Sequence, residues 1–526
     1  MRKMGLGFVT VITAIAFSTL VFAKMGDEEW GSARPSLAAQ AGSKDSAQRV
    51  QAAQGLGQAD RKEACEILLG MIAVTSKIKE PLVKDHADLS EQLEKIGIGP
   101  NTGSVPKSAL VAEVALKMRD VEKQIQAEDD VRDACIEALA KTKDEEAVKW
   151  LASVAPKSTV PSDRAAVAEV MGINKWPGAG QALEDMFAKE KESLVKLAIC
   201  EAFLRCGDKE SVDTLGKALL DQAWQVRLSA IAALRKIGGP EPVGPLIEAF
   251  DKEKELRVKT EFAATLKTLT GMDYNKDTAT WKKWWADNVA TFKGPAPKPA
   301  GEPGAAPAAG ATAAFFGIPI DSDKVVFILD ISGSMNEMTK NESKEGEKTI
   351  SSGPGERKNK KEDEDLMTGE HPKIDVAKFE LKKCIKKLKK EVKFNIYFFN
   401  DGWTKWQESL VPADAKWREE AFSYIDSQSA NGQTNLWDPM EDALKSAGMG
   451  LNDKHYKSAL DTIFVLSDGS PYPDDVYVNA ADIPKRLQDM NSLKKVKIHV
   501  IGIGTGQNTQ LLGAIARITG GIYTKR

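Results

Sequence analysis

A basic residue returns at near-constant spacing through the middle of this 526-residue chain: Arg132, Arg164, Lys196, Arg227 and Lys259, at intervals of 32, 32, 31 and 32. Four positions after each stands a small or apolar residue (Ile136, Ala168, Cys200, Ile231, Ala263), and seven after it a larger one (Leu139, Met171, Phe203, Leu234, Leu266). Offsets of four and seven lie on one face of a helix. Between these segments runs a second apolar set, Val148/Leu151, Val212/Leu215 and Val243/Leu246. Gly207-Asp208 and Gly238-Gly239-Pro240 punctuate the gaps. A helix pair of this size cannot bury its apolar face alone, so neighbouring units must stack into one continuous core. The period therefore predicts an all-α solenoid over residues 50–291.

The rhythm is weaker at the array's start. Arg61, with Cys65 and Leu68 at the two offsets, reads as a degenerate copy, residues 74–129 interrupt the period, and 109–126 reads as one long amphipathic helix. Cys65 and Cys200 occupy the apolar offset, with Cys135 beside it, which makes them core thiols rather than ligands or bridges. Five cysteines in the chain do not make a disulfide framework. Trp281, Trp284 and Trp285 close the array; they either cap the last unit or offer a binding hot spot. Through Val226-Arg-x-x-Ala-Ile-x-Ala-Leu234 the array resembles the short HEAT repeats of the PBS-lyase type. That resemblance implies a concave surface for a protein partner.

Arg2 and Lys3 precede an unbroken apolar and small-residue run over 6–23, ending Val21-Phe22-Ala23. This is the pattern of a signal peptide over 1–23, with an uncleaved anchor as the rival. It predicts an exported protein, periplasmic, extracellular or on the cell surface, whose membrane contact is confined to this segment. Residues 24–49 carry no clear pattern and read as a flexible lead-in. Residues 292–316 form a Pro/Ala/Gly linker that cannot build a core, so the bodies on either side are expected to be independent.

Beyond the linker, residues 317–526 alternate β and helical patterns. Apolar runs at 324–329, 392–399, 462–466 and 496–503 have the character of buried parallel strands. Helical patterns lie at 374–388, 416–425, 439–447 and 510–518. This predicts an α/β, Rossmann-like domain with a mainly parallel sheet flanked by helices. Ligands in such folds sit at the carboxyl ends of strands. Oxygen donors collect there: Asp330, Ser332 and Ser334 after the first strand, Thr434 before a helix, and Asp468 after a later strand. Two carboxylates and three hydroxyls make a hard, all-oxygen site, suited to magnesium, manganese or calcium and not to zinc.

At these residues the chain resembles the von Willebrand factor A domain, whose metal-ion-dependent adhesion site is Asp-x-Ser-x-Ser with a Thr and an Asp from two later loops. Val500-Ile-Gly-Ile-Gly504 and Ile515-Ala-x-x-Thr519-Gly-Gly-x-Tyr523 are similar to that family's closing strands and helix. The resemblance implies that Ser332, Ser334 and Thr434 contact a divalent cation, magnesium first, with manganese or calcium as alternatives. Asp330 and Asp468 act largely through water, and one coordination position is left for a partner's acidic side chain. Residues 336–372 depart from the family: a long, charge-dense insertion directly follows the first metal loop. It reads as a solvated loop, or else as a shield or a source of acidic ligands such as Glu364 or Asp365. The run of lysines from Lys382 to Lys390 reads as the wet face of a helix.

Lys and Arg total 73 against 76 Asp and Glu, a net charge of −3, which gives no basic footprint for nucleic acid. No nucleophile elbow, P-loop or zincin signature is present in the sequence. The reading is a non-enzymatic, exported adhesion or scaffold protein that clasps an acidic partner through a cation, with the repeats as a second interaction surface. The alternative is an accessory, assembly or chaperone-like factor of an envelope complex.

Overall fold

Three of the recurring basic residues, Arg164, Lys196 and Arg227, turn out to be the rungs of an ion-pair ladder, while Arg132 pairs instead with Glu169 and Asp133. The computed structural model describes residues 25–98, 107–154, 157–176, 178–207, 209–294, 313–340, 369–447, 460–469 and 478–526. Thirteen helices precede the linker among them, from α1 (Asp27–Ala41) to α13 (Thr278–Asn288). Arg164 at the start of α6 (Pro161–Asn174) donates from Nε and Nη2 to Glu190 at 2.7 and 2.9 Å. Lys196 in α8 (Ser193–Cys206) reaches Asp221 at 2.9 Å, and Arg227 in α10 (Trp224–Ile237) forks onto Glu253 at 2.7 and 2.8 Å. Each carboxylate also accepts backbone amides at the head of the next repeating helix, such as Lys254 and Glu255 before α12 (Leu256–Thr270). One side chain thus satisfies orphan helix N–H groups and staples adjacent repeats. Burial pushes Glu190 up, but Arg164 and the amides of Glu192 and Lys191 outweigh it and hold the carboxyl below its usual range.

For Arg164, Lys196 and Arg227 the acidic partner lies 25 or 26 residues after its base. Counting the same distance from Lys259 reaches Trp284 and Trp285, so the ladder gives way where the tryptophans begin. Trp281 is fully buried, donates Nε1 to the Asn275 carbonyl at 3.0 Å and stands edge-on to Trp284. Trp285 lies over Gly244, where a Cβ would meet its ring nitrogen at 3.1 Å. The cluster therefore caps the last unit. The larger residue of every repeat, Leu139, Met171, Phe203, Leu234 and Leu266, is at most 1% exposed. Cys65, Cys135 and Cys200 are buried free thiols.

One expectation about the amino-terminal part needs correction. Residues 24–49 are not a flexible lead-in: α1 and α2 (Ser46–Gly57) run through them. Asp27, Glu28 and Glu29 stand in the first turn of α1, where acidic charge suits the helix dipole. Trp30 is buried under the Arg61 guanidinium, 5.3 Å from the ring. Small residues dilute the apolar period there, which is why the sequence looked patternless. The interruption expected at 74–129 lies in two long packed helices, α3 (Lys62–Ile98) and α4 (Lys107–Ala140), and the helix expected over 109–126 falls within α4.

The second body begins earlier than the linker bound of 316 allowed: β1 (Ala314–Phe315) pairs with β2 (Ile318–Pro319) in a small hairpin, and Phe315 is fully buried in that body's core. The main sheet runs in the order β11 (Tyr523–Lys525), β10 (Lys497–Gly502), β9 (Thr462–Ser467), β3 (Lys324–Asp330), β6 (Lys393–Phe399), β7 (Trp403–Lys405). All neighbours are parallel except at the edge, where β7 and β8 (Val411–Pro412) pair antiparallel with β6. Val325, Phe327 and Leu329 of β3 pack toward α14 (Lys373–Lys387) and α15 (Ala415–Asp426). Val326 and Ile328 face α16 (Trp437–Ser446), α17 (Ile483–Asn491) and α18 (Thr509–Ile518). The chain order reverses at β3, between β6 and β9, so the crevice of this sheet opens beside Asp330.

The signal or anchor segment at 1–23, residues 295–312 of the linker, and residues 341–368 of the insertion lie outside the described residues. The insertion's two stems close as an antiparallel ladder of β4 (Met338–Lys340) and β5 (Glu370–Pro372).

The two bodies touch, contrary to the independence expected from the linker. Arg257 of α12 is buried and donates Nη1 to the Asp461 carbonyl, at the foot of β9, at 2.8 Å. Lys495 meets Glu201 at 3.0 Å, Lys445 meets Glu122 at 2.7 Å, and Lys497 pairs with Glu261. Burial would raise Glu201 and Glu261, but Lys495 and Lys497 beside them hold both carboxyls below the usual value of 4.5. Linker composition says nothing about charge complementarity elsewhere, and here complementarity decides. Depressed carboxyls stabilise the contact above their unfolded value and lose it as pH falls through the folded one. Acidification below 4.5 is therefore expected to separate the bodies, as is charge reversal of Glu201 and Glu261 to lysine at neutral pH. Small-angle scattering should show a larger radius of gyration in both cases; an unchanged radius for the reversed variant defeats the expectation.

Candidate functional site

Strand β3 delivers Asp330, 1% exposed, at the carboxyl edge of the sheet. Its Oδ1 accepts the Ser332 amide at 2.8 Å and its Oδ2 accepts the Ser467 hydroxyl at 2.7 Å. Both donors are neutral. Burial, with a smaller push from the charge of Asp468, drives the Asp330 carboxyl up to about 6, against the pull of its hydrogen bonds. The chain then turns, and the Ser332 and Ser334 hydroxyls lie 3.1 Å apart. Ser334 donates on to Asp468 Oδ1 at 2.8 Å, joining the loop after β3 to the loop after β9.

Thr434 arrives from a third loop, which two backbone hydrogen bonds tie to the first. Asn431 donates to the Ile331 carbonyl at 2.8 Å, and Gly333 donates to the Gly432 carbonyl at 2.9 Å. Gly432 has φ +74°, and a Cβ there would stand 2.0 Å from an Asp401 oxygen, so this turn requires glycine. Thr434 is 8% exposed, and its Oγ1 stands 4.0 Å from where a Cβ on Gly469 would project, beside Asp468. All five sequence-predicted residues thus gather at one end of the sheet: four in a single hydrogen-bonded chain, and Thr434 facing the turn that follows Asp468.

Three further residues belong to the cluster. Ser467 is fully buried against Asp330, and nothing in the sequence distinguished it from any polar residue at a strand end. Lys373, 4% exposed, places Nζ 2.7 Å from Asp468 Oδ2 and 2.6 Å from Glu337 Oε2. In sequence Glu337 fell within the charged insertion at 336–372, and Lys373 lay between that insertion and the helical pattern at 374–388 with nothing to single it out.

The donor set suits a hard divalent cation: two buried carboxylates with three hydroxyls around them, and no thiol or imidazole in the cluster. Among the described residues no group of three or more His, Cys, Asp or Glu side chains is placed to hold a metal ion. A site for a cation here therefore depends on hydroxyl oxygens as well as carboxylates.

Comparison with known proteins agrees with this architecture. The model of the von Willebrand factor type A domain matches residues 365–525, and that of HEAT repeats matches 121–203 and 191–267. The chain carries HEAT repeats followed by a von Willebrand factor A domain. The A-domain match includes Thr434 and Asp468 but begins after the first loop, so Asp330, Ser332 and Ser334 join it through the continuous sheet. A von Willebrand factor A domain-containing protein of Dictyostelium discoideum is 29% identical over 154 residues, 29% of this chain and 15% of the relative. Among solved structures, a von Willebrand factor type A protein from Catenulispora acidiphila is 19% identical, with a TM-score of 0.27 over 38% of each chain. Proximal thread matrix protein 1 from the mussel byssus is 19% identical, with a TM-score of 0.24 over 38% of this chain and 40% of its own. The matched segment spans well under half of each of these proteins. A domains and HEAT repeats are generally non-enzymatic modules of protein–protein interaction, and A domains often bind a divalent metal.

Proposed function

We propose that this protein is an exported, non-enzymatic adhesion or scaffold protein whose A domain grips an acidic protein partner through a divalent cation. The observation that carries the reading is the hydrogen-bonded chain Asp330–Ser332–Ser334–Asp468, with Thr434 beside it, at the carboxyl end of the parallel sheet. Magnesium is the expected ion, with manganese or calcium able to replace it, and Ser332, Ser334 and Thr434 are its direct ligands. Asp330 and Asp468 supply the charge that draws it in. The HEAT array holds the A domain from the opposite end of the sheet, which leaves the loop end facing outward and the rest of the array free for a second protein. Export rests on the amino-terminal apolar segment of the sequence.

Two measurements test this. Calorimetry on the full chain should show magnesium or manganese binding at a single site, and absence of binding by either ion ends the reading. Affinity capture from cell-envelope and extracellular fractions should recover partners that chelation with EDTA releases. Surface or matrix proteins among them support adhesion; envelope machinery supports an assembly factor instead; if EDTA releases none of the captured partners, a cation-mediated grip is excluded.

A further inference from the structure

We propose that Lys373 is a built-in counter-cation that sets how tightly the A domain holds its metal. The inference rests on the cation reading above and concerns a residue that lies outside the five-residue motif.

The geometry is that of a constructed seat. Lys373 is the first residue of α14, directly after the β4–β5 ladder, and its amide donates to the Glu337 carbonyl at 3.0 Å. Its side chain turns inward and is only 5% exposed. It runs across Gly504, where a Cβ would stand 2.6 Å from Lys373 Cε and 3.1 Å from Nζ. Gly504 has φ +85°, so the loop after β10 is shaped by a residue that makes room for this lysine. The ammonium ends between two carboxylates. Asp468 is fully buried at its side chain, whereas Glu337 is 68% exposed.

Asp468 divides its oxygens between two tasks: Oδ1 accepts from Ser334, on the metal-loop side, and Oδ2 accepts from Lys373, behind it. The ammonium cancels part of the charge that would draw a dication. A buried, unpaired carboxylate is costly, so the same contact holds Asp468 in place before any ion arrives. Glu337, mostly in water, offsets the lysine only in part. The seat therefore trades affinity for preorganisation: Lys373 keeps the site formed when empty and makes the ion easier to release.

The two sides of this device predict opposite shifts. In Lys373→Met the repulsion is gone, and magnesium or manganese should bind about tenfold more tightly, since one unit of charge a few ångströms from a dication is worth roughly a factor of ten even in a watery dielectric. The cation-free melting temperature should fall, and the gain on adding cation should grow. In Glu337→Gln, an exposed change that leaves the fold intact, the lysine is less compensated and binding should weaken two- to threefold. Isothermal calorimetry on the full-length wild type and both variants, with thermal melts at matched cation concentrations, reads all of this. If the wild type binds and Lys373→Met binds no more tightly, or Glu337→Gln binds no more weakly, Lys373 does not tune the site and only this inference falls. If Lys373→Met does not fold, the Glu337→Gln shift alone decides. If none of the three binds a cation, this inference falls together with the metal reading.

Discussion

Asp330→Ala is expected to abolish magnesium and manganese binding, by at least a hundredfold, and to remove any cation-induced rise in melting temperature. A ligand at a hundred times its dissociation constant stabilises the folded state by about 2.7 kcal/mol, and that increment should vanish. Its companion, Asp330→Asn, keeps the shape and makes the test independent of cavity effects. Burial lifts the Asp330 carboxyl to about 6. An aspartate raised in the fold costs stability once it ionises, so its contribution falls as pH rises from about 4 through 6, by on the order of 3 kcal/mol at neutral pH. Without cation, Asp330→Asn should therefore melt at or above the wild-type temperature at pH 7, and should lack that part of the pH slope. Calorimetric affinity for the variants equal to wild type, or a collapse of the cation-free fold on Asp330→Asn, would contradict the role given to this carboxylate.

Arg227→Ala should be among the most damaging changes in the repeats. Arg227 forks onto Glu253, whose side chain is 2% exposed, and also donates to the Asp221 carbonyl at 2.8 Å. Breaking a buried pair from one side typically costs 3–5 kcal/mol. Glu253 keeps the Lys254 and Glu255 amides, which places the loss near the lower end, about 3 kcal/mol. For a body of this size that corresponds to a melting point lower by roughly 6–12 °C, followed by helical circular dichroism. Arg227→Lys should recover much of it, since Lys196 fills the same place one repeat earlier. Lys209→Ala, which removes the solvent-exposed and screened pair with Glu241, should cost far less. Equal effects of the two alanine variants would mean that the ladder is not a structural element.

Much of this was legible in the residues. The period of the basic positions located the repeats, and the strand runs at 324–329 and 462–466 fell within a residue or two of β3 and β9, because buried parallel strands write themselves as unbroken apolar runs. Asp330, Ser332, Ser334 and Asp468 stood out because they follow the ends of such runs, and Thr434 because it precedes a helix as a third oxygen-bearing loop. What escaped was what lies between elements. The partners of Arg164, Lys196 and Arg227 sit in loops whose acids look like any others. The contact of Arg257 with Asp461 spans 204 residues and leaves no periodic trace. Lys373 follows the charge-dense stretch at 336–372 and nothing in the sequence singles it out; only the packing over Gly504 shows that it turns inward.

The docking of the array at the foot of the sheet also fixes how the molecule carries load. Arg257 holds the Asp461 carbonyl where β9 begins, Lys497 meets Glu261 where β10 begins, and Asp468 follows the opposite end of β9. A pull on anything held at Asp468 runs lengthwise down β9 and into the array, shearing the ladder between β3, β9 and β10 rather than peeling its strands apart. Hydrogen bonds sheared together resist force collectively, whereas peeled ones fail in sequence. Under tension applied between the loop end and the array, the ionic contacts at the foot should give way before the sheet does, leaving a folded A domain on a lengthened tether.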